Sequence, residues 1–353
     1  MHLVVDVSAH GYGHFAQTAP VLNALWRRRP DLRVTLRSTL PAELLASRLE
    51  QPVDHREVDH DFGMVMTSAL DVDRAASLAR YRDFHRDWGK RVDQAARDLD
   101  ALRPDLLLAN VPYLSLAAAG RAGVPAAALC SLNWAAIFAH YFPDEGAIVD
   151  DMLGAYARAR VFLRPEPSMP MPGLSNTRDI APIARRGRRR RQALDEAFGL
   201  GPEERLVLVA PGGIPTAVDM ARWPRRSGLR WVVPPGWGAG RDDVIDHDAA
   251  GMGFTDLLCS CDVLVTKPGY GSVTEAVCNG VPVIYVRRGD WPEEPALVAW
   301  LQGHGRSVEI TREQWAGGEV LEALERLENG PPPQPVMPGG AEEAAEHLLG
   351  MKC

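Results

Sequence analysis

This sequence predicts an α/β fold made of two units, each a parallel sheet covered by helices on both faces. Three observations carry that reading. Short apolar runs alternate with helical patterns in both halves of the chain, as expected for buried parallel strands joined by crossover helices. Glycine-rich turns follow strands at three places, Ser8–His14, Pro211-Gly212-Gly213 and Pro268–Ser272. A stretch rich in proline and arginine separates the two halves. The 353 residues suffice for two domains, at roughly 150 residues for each.

Taken in order, residues 3–7 are a short apolar strand. The first glycine turn follows it, and residues 15–29 form an amphipathic helix with Pro20 in its first turns, where proline is tolerated. Residues 34–37 read as a second strand and 73–102 as one long polar helix. Residues 104–109, 126–130 and 161–163 complete the first set of strands. Residues 165–200 hold five prolines and the run Arg185-Arg186-Gly187-Arg188-Arg189-Arg190-Arg191. They read as a linker with the first helix of the second unit, the arginines forming a solvated face. The second unit, residues 201–335, repeats the pattern, with strands at 206–210, 231–233, 263–266 and 283–286 and helices at 254–260 and 273–278. Pro331-Pro332-Pro333 breaks the chain, and residues 336–353 hold a closing helix free to pack back on the first unit, residues 1–164.

Composition narrows the function. The 39 basic residues against 46 acidic ones leave a net charge of −7, which argues against a protein that coats nucleic acid. Only three basic residues are lysines, Lys90, Lys267 and Lys352. Five irregularly spaced cysteines (Cys130, Cys259, Cys261, Cys278 and Cys353) do not make a disulfide framework and point to a reducing compartment. The opening residues lack the features of a signal peptide, so a cytoplasmic location is expected. Peripheral membrane contact would need an exposed apolar patch, for which Ile137-Phe138 and Tyr141-Phe142 are the candidates.

The glycine turns suggest the ligand. A helix N-terminus carries unpaired N–H groups that favour an anion, and glycine lets a phosphate approach the backbone. Neither a Gly-x-Gly-x-x-Gly nor a P-loop pattern is present. Two of the three turns lie in the second half, which points to a nucleotide diphosphate there and another substrate across a cleft. Lys267 can pair with a phosphate, and Glu275 can accept two hydrogen bonds from a ribose diol. No Asp-x-Asp pattern marks a donor loop, so no essential metal and no further cofactor is expected.

The run Thr266-Lys267-Pro268-Gly269-Tyr270-Gly271-Ser272-Val273-Thr274-Glu275-Ala276, with Gly280–Arg288 and Trp291-Pro292-Glu293-Glu294-Pro295, resembles the donor-nucleotide region of GT-B glycosyltransferases. It is nearest to the family 28-type branch of the peptidoglycan N-acetylglucosaminyltransferase and galactolipid synthase. Within that branch it is most similar to the glycosyltransferase-like N-terminal region of plant L-arabinokinases. His10-Gly11-Tyr12-Gly13-His14 resembles the opening turn of that region, and Pro104–Asn110 and Ser131-Leu132-Asn133-Trp134 its middle. The resemblance spans about residues 3–310. The kinase part of those proteins is expected to be lacking here.

The resemblance implies two Rossmann-like domains and transfer of a sugar from a nucleotide diphosphate, UDP by family expectation, to a hydroxyl acceptor with inversion. It places Gly212, Gly213, Gly269, Tyr270, Gly271 and Ser272 at the diphosphate, with Lys267, and Glu275 at the ribose. Phe254 and Thr255 would lie at the base, and Glu293 and Glu294 at the donor sugar. His14 would be the catalytic base, with His10 beside it. Asn110 stands where those relatives carry Asp. Either another acid (Asp6, Asp59 or Asp61) orients the histidine, or Asn110 only positions the acceptor. A sugar-nucleotide epimerase or hydrolase and a non-catalytic nucleotide-sugar sensor are the competing readings.

Overall fold

The computed structural model describes residues 1–213, 218–238, 240–330 and 333–351; Pro331, Pro332, Lys352 and Cys353 lie outside the described residues. Within these residues the strands form two sheets. The first holds β1 (His2–Val7), β2 (Arg33–Arg37), β3 (Asp54–Arg56), β4 (Leu106–Asn110), β5 (Ala126–Leu129), β6 (Val161–Pro165) and β7 (Thr177–Ile180), in the order β3-β2-β1-β4-β5-β6-β7. The second holds β8 (Arg205–Val209), β9 (Leu229–Val233), β10 (Val244–Asp246), β11 (Val263–Thr266), β12 (Val283–Val286) and β13 (Ser307–Ile310), in the order β10-β9-β8-β11-β12-β13. Every pairing is parallel.

The first sheet carries α1 (Gly13–Arg28), α2 (Ala42–Arg48), α3 (Arg74–Arg86), α4 (Trp88–Asp100), α5 (Tyr113–Ala122), α6 (Trp134–Tyr141) and α7 (Gly146–Tyr156). The second carries α8 (Arg191–Phe198), α9 (Phe254–Ser260), α10 (Tyr270–Cys278), α11 (Glu294–His304), α12 (Arg312–Gly317) and α13 (Leu321–Glu328). The last helix, α14 (Gly340–Gly350), returns to the first sheet. Its Ala344, Ala345 and Leu348 share an apolar cluster with Leu22 and Leu25 of α1, and Glu342 pairs with Arg27 and Arg28. The central strands are buried at every position (Leu3 to Val5, Leu106 to Ala109 and Leu206 to Val209), as a sheet covered on both faces requires.

Strand order decides where a ligand can sit. In the first sheet the order reverses between β1 and β4, and in the second between β8 and β11. A crevice opens at such a switch point, beyond the carboxyl ends of the strands. Val7 is in register with Asn110, and Val209 with Val265. The first glycine turn, Asn110, Gly212-Gly213 and Lys267 therefore all emerge at crevice edges.

Several elements differ from the sequence reading. The long helix at 73–102 is two helices broken at Asp87, whose backbone leaves the helical region. Each has its own buried face, Ser77 and Tyr81 on α3 and Val92, Ala96 and Leu99 on α4. Neither face stands out in a segment so rich in charge. Residues 165–200 are not only a linker, since β7 lies among them and pairs with β6. Of the arginine run only Arg191 is helical, and it pairs with Asp195 and Asp262. Helices α1 and α10 begin earlier than expected, inside their glycine turns, so His14, Gly271 and Ser272 occupy first helical turns. Of the apolar residues named for membrane contact, Ile137 and Phe138 are fully buried, Tyr141 is nearly so and Phe142 is partly buried. Among the described residues no helix is long and apolar enough to cross a membrane. Cys130, Cys259, Cys261 and Cys278 are free and buried.

Candidate active site

A cleft of about 340 Å³ lies between the two sheets. Helices α1 and α10 present their N-termini to it, and neither has a side chain capping its first N–H groups. The two ends meet closely: a Cβ on Gly271 would come within 3.0 Å of the Ala16 Cβ. Tyr12, half exposed, lies over the backbone of Gly213, where a Cβ would strike its ring at 2.8 Å. Gly212 holds φ +100, a conformation that other residues rarely adopt. Glycine is thus required on the lip of the second unit for close approach.

His14 is the best-defined group on the first lip. It is 5% exposed, and its Nδ1 lies 2.9 Å from Asn110 Oδ1. The Asn110 amide nitrogen donates to the His14 carbonyl at 3.2 Å and to Gln17 Oε1 at 3.4 Å. With its nitrogen committed as donor, Asn110 offers only its oxygen to the ring, so Nδ1 carries the proton and Nε2 keeps its lone pair. Burial lowers the His14 pKa, while the Asn110 hydrogen bond and the Glu293 charge oppose that shift. The neutral ring is therefore the resting form at neutral pH.

None of the acids considered in place of a carboxylate at position 110 bonds to His14. Asp6 is held by both arms of the Arg37 guanidinium and by His60. Asp59 pairs with Arg80 near the surface. Asp61 accepts from the Trp134 indole at 2.7 Å, and burial raises its pKa to about 6. Asn110 itself does the orienting, which neither sequence alternative had allowed.

His10 sits beside His14, edge-on to Trp134 and stacked on Trp291. Its Nε2 is buried without a hydrogen-bond partner among the described residues. Burial, with the charges of His14, Arg288 and Lys267, drives its pKa down to about 3.

The second lip is cationic. The Lys267 ammonium donates to no described residue, and its Nζ lies beside Gly212 and Gly269. Burial and the Arg288 charge lower its pKa to about 7, against the raising effect of Glu293 and Glu294. Arg288 is buried over the Trp291 ring and donates to the Pro268 carbonyl at 3.0 Å, while its Nε has no partner among the described residues. Two cations at a bare helix N-terminus make a site for an anion of more than one charge.

The remaining expected residues divide. Gly269, Gly271 and Ser272 line the cleft, as do Phe254 and Thr255 at the start of α9. Tyr270 reaches it too, but its hydroxyl is spent on the linker, donating to Glu166 and accepting from the Ile183 N–H. Glu275 lines the cleft with Oε1 held by Arg48 of α2 at 2.7 Å, leaving Oε2 without a partner among the described residues. Glu293 faces the cleft with both oxygens engaged, by the Ser131 hydroxyl at 2.6 Å and the Trp291 indole at 3.2 Å. Glu294 does not line the cleft. Its carboxylate accepts from the backbone N–H groups of Arg288 and Gly289 and braces that loop. Sequence reasoning gave no role to Gln17, Arg48, Ser131 or Arg288. Arg48 lies in a short helix with no motif around it, so nothing local marks it. Among the described residues no group of three or more His, Cys, Asp or Glu is placed to hold a metal ion.

Solved structures share this architecture. The calicheamicin glycosyltransferase CalG4 matches with a TM-score of 0.59 at 17% identity, over 98% of this chain and 92% of that one. Arabidopsis thaliana UGT89C1, solved with UDP, matches with a TM-score of 0.61 at 13% identity, over 99% and 98%. The chain has the GT-B fold. A putative UDP-N-acetylglucosamine 2-epimerase from Listeria monocytogenes shares it as well, with a TM-score of 0.56 at 15% identity over 99% and 94%. In sequence, L-arabinokinase from Arabidopsis thaliana is 26% identical over 364 residues, covering 99% of this chain. The chain spans about a third of that relative's length. No family model matches the chain.

Proposed function

We propose that the protein is a glycosyltransferase that moves a sugar from a nucleoside diphosphate, UDP in the first instance, to a hydroxyl acceptor with inversion. The observation that carries this reading is the pairing of the two lips. A neutral histidine with a free Nε2 faces a glycine turn that carries an unpaired ammonium and an open helix N-terminus. One lip suits a proton acceptor and the other a diphosphate leaving group. Placement in the peptidoglycan N-acetylglucosaminyltransferase branch, with a cytoplasmic site of action, belongs to the same proposal.

In this reading His14 Nε2 takes the proton as the acceptor oxygen attacks the anomeric carbon. The bond from that carbon to the diphosphate oxygen breaks on the opposite face. The negative charge that develops there is met by Lys267, Arg288 and the N–H groups of α10, all in position before the reaction. Phe254 and Thr255 flank the base, and Glu275 Oε2 accepts from the ribose. His10 stays uncharged beside His14, so that no imidazolium there repels the proton that Nε2 gains.

A thermal-shift screen of nucleotides and nucleotide sugars tests the donor half. Ligand at 100 times its dissociation constant stabilises by about 2.7 kcal/mol. A panel without any shift overturns the proposal. A fold shared with an epimerase adds a second test: product formed from nucleotide sugar with no acceptor present would assign that chemistry instead.

A further inference from the structure

The residue expected at the donor sugar is bound into the base. We infer that Glu293 supports His14 from the opposite side of the cleft, through Ser131, Gln17 and Asn110. The links run in sequence. His14 Nδ1–H donates to Asn110 Oδ1 at 2.9 Å, and Asn110 Nδ2–H to Gln17 Oε1 at 3.4 Å. Gln17 Nε2–H donates to Ser131 Oγ at 2.9 Å, and the Ser131 hydroxyl to Glu293 Oε1 at 2.6 Å. Every donor points the same way, towards one carboxylate, whose other oxygen is fixed by the Trp291 indole.

Aligned hydrogen bonds polarise one another, and their low-dielectric surroundings strengthen the effect. Gln17, Asn110, Ser131 and Glu293 are all at most 4% exposed. The shortest link is the one to the charged group, as a charge-assisted bond should be. Amides do not relay protons, so no proton travels along the chain. Its action is to make Asn110 Oδ1 a stronger acceptor for the Nδ1 proton, which stabilises the imidazolium as Nε2 gains a proton. A carboxylate at position 110 would do this directly; here the negative charge comes from Glu293, the residue before α11 in the second unit. Glu293 and Ser131 are therefore positioning residues, and the base is complete only when the two units are held together.

The other groups facing the pair do not supply this support. Around His14 they are His10 and the Cys130 thiol, whose Sγ is 3.6 Å from Nδ1 and whose pKa burial raises. Around Glu293 they are Lys267, Arg288, Cys130 and Tyr270. Among the described residues Glu293 is the carboxylate whose charge raises the His14 pKa.

The test follows the His14 ring by NMR in the full chain with 13C-labelled histidine, the signal being assigned by its loss in His14→Gln. It reads the base directly, with no donor or acceptor added, so it stands apart from the transferase reading. Ser131→Ala breaks the chain but keeps both ends, and Glu293→Gln removes the charge. Each should lower the His14 titration midpoint by about half a pH unit. Asn110→Asp should raise the midpoint, and Ser131→Ala added to it should then have no effect. A His14 midpoint unchanged in Ser131→Ala would overturn the inference, whether or not Glu293→Gln moves it. So would an equal effect of Ser131→Ala with and without Asp at position 110.

Discussion

The two lips of the cleft are built alike and finished differently. Each is a strand, a glycine turn and a helix N-terminus at a switch point of its sheet. On the first lip Asn110 and Gln17 have their polar atoms paired within the protein, and His14 keeps only Nε2 for chemistry. On the second, the buried Arg288 and the partly exposed Lys267 hold charge with few partners among the described residues. Buried polar groups are normally satisfied, because leaving one unmade costs roughly 1–3 kcal/mol. A saturated network holds a geometry, whereas an unsaturated cation retains affinity for something absent. The contrast assigns fixed positioning to the first lip and anion capture to the second.

The largest expected effect cuts the first lip. His14→Ala should lower turnover by about 10²–10⁴-fold with nucleotide affinity nearly unchanged, read by transfer assay and titration calorimetry. Comparable turnover in that variant would remove His14 from the mechanism.

Lys267→Met cuts the second lip. Loss of a hydrogen bond to a charged group, about 1.5–3 kcal/mol, should weaken diphosphate binding by roughly 10–100-fold. This variant also carries a pH signature. The free protein's Lys267 titrates at about 7, and the diphosphate favours its protonated form. Binding therefore takes up a proton, and affinity falls as pH rises above about 7. Calorimetry at pH 6.5, 7.5 and 8.5 should show that slope in the wild type and lose it in Lys267→Met.

Gly271→Ala tests how tightly the lips are joined. The added methyl would meet Ala16 at 3.0 Å; overpacking of this kind costs about 1–3 kcal/mol and should appear as a lower unfolding midpoint.

His10 gives a smaller effect, confined to acid. Its folded pKa of about 3 lies below the ordinary value of 6.5, so the unfolded chain binds the extra proton. The sign follows: stability is retained above pH 6.5 and lost as pH falls towards 3. His10→Phe keeps a stacked ring and should flatten the fall measured by urea unfolding at pH 7.5, 6 and 5. The smallest expected effect is that of chelation. EDTA should leave nucleotide binding and transfer unaltered, and a loss restored by a divalent cation would replace the cationic lip as the charge carrier.

Much of this was legible in the residues. Period and composition were enough for two α/β units, because apolar runs between helical segments have few other ways to be buried. The glycine turns and Lys267 could be read locally, since the backbone conformation they need is a property of a few adjacent residues. Short or polar elements such as β3, β7 and α2 were missed, because their burial depends on neighbours far along the chain.

The tertiary structure alone decided the partnerships. Glu275 read as a ribose ligand, and only the fold brings Arg48 against it from 227 positions away. Glu294 read as a sugar contact and is a loop brace, while Glu293 is tied through Ser131 to the histidine of the other unit. Asn110 looked like a defect in a dyad, and its amide proves to set the tautomer of His14. The physical reason is common to all three. A sequence specifies which donors and acceptors a residue carries, but burial and distance decide which of them meet.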